Sequence, residues 1–125
     1  ALRQHGYATI AYDEHLTHYD GLPTRRKLEL LSRSHPIPAS EFESINARKQ
    51  SLTMEIAREQ CKPSSAHMDM VQRLQNDGYP MAVCSNSVRA SVDLLLQKTG
   101  LLPFFAFTLS NEDVLRPKPA PDIYQ

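Results

Sequence analysis

The sequence predicts an α/β protein: an all-helical N-terminal half, then a doubly wound parallel sheet. Three observations carry this. Residues 1 to about 60 place their apolar side chains at helical spacing and show no strand-like run. Met81-Ala82-Val83-Cys84 and Ala106-Phe107-Thr108-Leu109 are short, largely apolar stretches bounded by turn residues, the pattern of buried parallel strands. A helical stretch separates them, so helix, strand, helix and strand follow in the order of an α/β sheet.

Taken in order, Asp13 to Tyr19 is a short helix that Gly21 ends, and Pro23 stands at the start of the next. Thr24 to Ser34 forms that helix, with Leu28 and Leu31 on one face. His35-Pro36-Ile37-Pro38 is a linker, because a residue before proline is pushed out of the helical region. Ser40 and Glu43 have capping-box spacing, with Ser40 as N-cap of the longest helix. Phe42, Ile45, Leu52 and Ile56 form its apolar stripe. After the break at Cys61-Lys62-Pro63-Ser64-Ser65, a helix from Ala66 to Asn76 turns Met70, Val71 and Leu74 inward. Asp77-Gly78-Tyr79-Pro80 is a turn, and the first strand follows it. The next helix runs from Val88 to Lys98 and ends at Gly100, the usual C-terminal glycine. Past the second strand, Asn111 to Pro119 is loop, and Ala120 opens a further helix.

Formal net charge is zero, with lysine and arginine spread along the chain. A nucleic-acid binder needs a basic excess or face, so that class is set aside. No apolar run approaches the roughly 18 residues a membrane helix needs. No basic-then-apolar leader opens the chain. Cys61 and Cys84 are far apart and form no CxxC pair, which points to a reduced, cytoplasmic setting.

Two stretches carry chemistry. In "MAVCSNS" a strand runs into Ser85-Asn86-Ser87 just before a helix. Ligands of open α/β sheets sit at the carboxyl ends of strands, and helix N-termini suit phosphate. The plainer reading makes Ser85 and Ser87 an N-cap pair. In "RPKPAPDIY", Pro117 and Pro119 restrict the backbone around Lys118. A pre-placed ammonium stabilises developing phosphoryl charge without reorganising. The plainer reading is a solvated loop lysine. The acidic pair Glu112-Asp113 reads as a solvated loop, and His15 and His18 read as surface residues.

The order strand, Ser85, helix, strand, loop and Lys118 in "KPAPDIY" resembles the haloacid dehalogenase-like (HAD) superfamily, in the branch that includes β-phosphoglucomutase. "DGLPTRRKLELL" and the long helix with "ARKQ" resemble that family's helical cap. The resemblance implies a HAD-like Rossmannoid core, partial here over residues 62–125, with an α-helical cap over 1–61. It implies Mg²⁺-dependent phosphoryl transfer from a small phosphorylated metabolite through an aspartyl-phosphate. Ser85 and Lys118 would then bind the transferred phosphoryl group, with the Asn86 backbone N–H as a further donor. Thr24, Arg25, Arg26, Lys27, Arg48 and Lys49 are the cap positions expected to reach the substrate.

Motif one of that family, D-x-D-G after a strand, has no match. Asp20-Gly21 is preceded by His18, and no apolar strand leads into it. No acidic motif follows Lys118. The expectation is a fragment whose nucleophile and most Mg²⁺ ligands lie elsewhere, so that these 125 residues alone are inactive. The mutase branch carries arginine and lysine where this chain has Thr24 and Val88, which favours hydrolysis over mutase chemistry. A phosphomutase and a non-catalytic helical interaction module remain the alternatives.

Overall fold

The computed structural model describes residues 1–125. The chain packs as two units, Ala1–Leu52 and Thr53–Gln125.

The first unit is helical. A short α1 (Tyr12–Glu14) runs on as a π turn over His15–Tyr19, and α2 spans Thr24–Leu31. Gly21, at φ 73°, makes the turn between them, a left-handed conformation that glycine adopts at least cost. The core of the unit is Tyr19, Leu28, Leu31, Ile37 and Ile45. Leu28 and Leu31 are one turn apart on α2, and Ile45 lies on α3 (Phe42–Gln60).

α3 does not begin as expected. Ala39–Glu41 is a 3-10 turn that leads straight into the helix, so Ser40 is not its N-cap. The Glu41 carbonyl accepts a bond from the Ser44 hydroxyl at 2.9 Å instead. The expected apolar stripe also drifts. Ile45 is buried, but Ile56 is half exposed, and the neighbouring Ala57 takes the inner position. Helical spacing alone does not account for this, since Ile56 lies only about 20° round the helix from Ile45; Ile45 belongs to the first unit, and Ile56 and Ala57 to the second.

In the second unit, α4 (Ser65–Asn76) is followed by β1 (Ala82–Cys84), α5 (Arg89–Thr99) and β2 (Phe107–Leu109). The strands pair in parallel, with Ala82 opposite Phe107, Val83 opposite Thr108 and Cys84 opposite Leu109. A parallel pair needs a crossover, and α5 supplies it. Gly100, at φ 72°, terminates α5 in the left-handed conformation expected of it. The strands are less buried than their apolar runs predicted. Ala82 and Phe107, partners at the start of the ladder, are exposed, while Cys84 and Leu109 on the same face are half-buried. On α4, Val71 is buried as expected, while Met70 faces outward. The chain closes with a 3-10 turn, Pro121–Tyr124, that buries Ile123.

No helix is long and apolar enough to cross a membrane.

Candidate functional site

The carboxyl end of β1 and the loop after β2 are sewn together. The Ser85 N–H donates to the Leu109 carbonyl at 2.9 Å, extending the ladder one step beyond the strand. Asn111 N–H donates to the Ser87 carbonyl at 3.1 Å. The Ser85 hydroxyl accepts the Ser87 N–H at 3.1 Å. One lone pair is therefore used, and the hydroxyl proton is directed elsewhere.

Lys118 returns to this point from the far end of the loop. Its ammonium donates to the Cys84 carbonyl at 2.9 Å, beside Ser85. An ammonium has three donors, so two remain for another acceptor. Pro117 and Pro119 have no N–H, and Lys118 lies outside any ladder. Asn86 meets that need with its side chain. Its carboxamide oxygen accepts the Lys118 N–H at 2.9 Å, and its amide nitrogen donates to the Lys118 carbonyl at 3.0 Å. The Lys118–Pro119 peptide is cis. Beyond it, Arg116 makes two bonds to Asp122, at 3.0 and 2.7 Å, and these hold the Asp122 carboxyl below the usual carboxylate range.

The N-terminus of α5 is occupied from within. Val88, not Ser85 or Ser87, is its N-cap, and it makes no side-chain cap bond. The Glu112 carboxylate accepts the Arg89 N–H at 2.7 Å, so the helix end expected to meet phosphate already faces an anion. Glu112-Asp113 is an exposed loop, as expected, but both carboxylates are engaged. One oxygen of Asp113 accepts the Ser110 N–H at 2.6 Å, the Ser110 hydroxyl at 2.7 Å and an N–H of the Arg89 guanidinium. Ser110 is fully buried. These bonds to Ser110, then the charge of Arg89, hold the Asp113 carboxyl below its ordinary value. Ser110-x-x-Asp113 has capping-box spacing, and that was the signal available for this turn.

The sign of the pH effect follows. A carboxyl with a depressed folded-state pKa stabilises the fold above its unfolded value, about 3.9 for aspartate. That contribution is lost as pH falls through the lower folded value. Urea unfolding followed from pH 5 down to pH 2 is expected to show a smaller loss of stability in Asp113→Asn than in the unmodified chain; equal slopes would contradict it.

The helical candidates separate into two groups. Thr24 and Lys49 line an apolar cavity of about 170 Å³, together with Lys27, Leu28, Leu31 and Ile45. Lys27 Nζ lies 3.5 Å from His15 Nε2. Desolvation, then the charge of Lys27, lowers the Lys49 pKa. Arg25 and Arg26 both pair with Glu29, at 3.4 and 3.1 Å, and Arg48 donates to Gln4 Oε1 at 2.7 Å. Exposed pairs of this kind contribute about 0–1 kcal/mol.

No three side chains among His, Cys, Asp and Glu converge as a metal site. Asp113 is committed to Arg89 and Ser110, and Glu112 to the Arg89 N–H. The residues present do not by themselves fit a Mg²⁺ ion.

The family model of the haloacid dehalogenase-like hydrolases matches residues 1–125. The chain belongs to that family. Comparison with curated proteins returns no match. Membership accounts for the order of elements seen in this HAD-like chain, a helical segment followed by a parallel α/β unit.

Proposed function

We propose that this HAD-like hydrolase is a phosphatase acting on a small phosphorylated metabolite, and that Ser85, Asn86 and Lys118 form its phosphoryl-binding corner. The supporting observation is that the Lys118 ammonium bonds the Cys84 carbonyl at the end of β1, the residue just before Ser85. Lys118 has two ammonium donors left for phosphoryl oxygens, and Ser85 has its hydroxyl proton. Both groups are held before substrate arrives, so little reorganisation opposes charge build-up as the ester P–O bond breaks. Asn86 acts by holding the backbone of Lys118.

Residues 1–61 act as the cap in this reading. Thr24 and Lys49, beside Lys27, are favoured over Arg25, Arg26 and Arg48 for holding the rest of the substrate, since they line one cavity. Mg²⁺ would supply charge neutralisation at the phosphoryl oxygens. No step is assigned to it among these residues. With free thiols at Cys61 and Cys84, a cytoplasmic location is part of the proposal.

Full-length protein carrying these residues is expected to release phosphate from p-nitrophenyl phosphate and small phosphate monoesters in the presence of Mg²⁺. Turnover of 2-haloacids with no phosphatase activity would sink the reading.

A further inference from the structure

We propose that Arg89 is a positioning residue for Lys118, acting through Asp113 and Thr108 without touching the lysine. The relevance of this to catalysis rests on the phosphoryl-binding reading above; the positioning itself does not.

Arg89 opens α5 and gathers the β2 exit around it. Its guanidinium donates to the Thr108 carbonyl at 3.0 Å, to the Thr108 hydroxyl at 2.6 Å and to the Asp113 carboxylate. Its own backbone N–H is taken by Glu112. Asp93, one turn along α5, lies 3.9 Å from the same guanidinium. One side chain thus joins the last strand, the loop after it and the helix that starts beside Ser85. A planar fork suits this task, since it offers several donors in fixed directions.

The consequence reaches Lys118 through chain length. Asp113 is pinned to α5, and Lys118 is pinned to Asn86 on the segment just before α5. Only residues 114–117 lie between, and each spans at most about 3.6 Å. The position of Asp113 therefore limits where Lys118 can sit. Leu115, in this bridge, is 98% exposed and contributes no anchoring. Without the Arg89 guanidinium, Glu112 still accepts the backbone N–H of residue 89 and Asp113 still binds Ser110, so the stretch without a tie to α5 grows from 114–117 to 113–117. A longer free stretch gives the lysine more conformations to lose.

The backbone supplies its own reporter. Pro117 and Pro119 carry no N–H, so Lys118 is the only exchangeable amide among 117–119. Hydrogen exchange of that amide in the full-length protein, read by mass spectrometry, is the test. Arg89→Met is expected to speed it at least about threefold, with exchange in α4 unchanged. Arg89→Lys, which keeps the charge and loses the fork, is expected to fall between. Should Arg89→Met fail to fold, Asp113→Asn carries the same comparison with volume preserved. Unchanged Lys118 exchange in a folded variant overturns the proposal.

A second arm reads function. On p-nitrophenyl phosphate, Lys118→Met is expected to cost several-fold less in the Arg89→Met background than alone. Full additivity would overturn the catalytic half of the proposal. Absence of any turnover in the unmodified protein would instead overturn the phosphatase reading, with amide exchange still deciding the positioning.

Discussion

Lys118→Met is expected to lower kcat/KM for a phosphate monoester by about 10²–10³, or roughly 2.7–4 kcal/mol of transition-state stabilisation. The size follows from how the ammonium is held. It is tethered to the Cys84 carbonyl at 2.9 Å, and Asn86 bonds the lysine backbone on both sides. A charge fixed this way is in place when the phosphoryl oxygens become more negative, and removing it leaves no flexible neighbour to take over. Lys118→Arg is expected to recover little. Its planar fork cannot keep the Cys84 bond and present donors from the same point. Steady-state kinetics of the full-length protein would decide. A loss smaller than about threefold would mean that the Lys118 ammonium is a structural tether to Cys84 and not a phosphoryl-binding group.

Ile123→Ala is expected to destabilise the fold by about 2–5 kcal/mol, the range for emptying a buried aliphatic site. Ile123 is 1% exposed, while its neighbour Tyr124 is 68% exposed. The Ile123 carbonyl also accepts a bond from the Cys84 thiol at 3.5 Å, so this residue seats the segment after Lys118 against β1. Tyr124→Ala serves as the control and is expected to stay within about 0.5 kcal/mol, as surface changes do. Urea denaturation of the two variants measures both effects. A cost below about 1 kcal/mol for Ile123→Ala would mean that the site collapses around the smaller side chain.

Much of the geometry of the candidate site was legible in the chain. "KPAPDIY" marks a stiff backbone around one cation, because prolines restrict both themselves and the residue before them. "MAVCSNS" marks a strand followed by a polar turn, and β1 ends at Cys84 as that pattern requires. The role of the Asn86 side chain was not visible. A carboxamide can bond many partners, and only proximity to the two prolines identifies the groups it serves.

The pattern Ser-x-x-acid draws the line between the two sources of information. It occurs at Ser40 to Glu43 and again at Ser110 to Asp113. The first stands before a strong helix, where local rules predict a capping box, yet a 3-10 turn enters the helix directly and the box does not form. The second stands in a loop with no helix behind it, yet Asp113 reaches back to the Ser110 N–H. The order of elements, the glycine turns and the strand ends were set by local sequence, because backbone restriction and hydrophobic spacing act over a few residues. Which carboxylates became structural was decided only by the fold. Arg89 lies 24 residues before Asp113, and the parallel pairing of β1 with β2 is what brings that guanidinium to it.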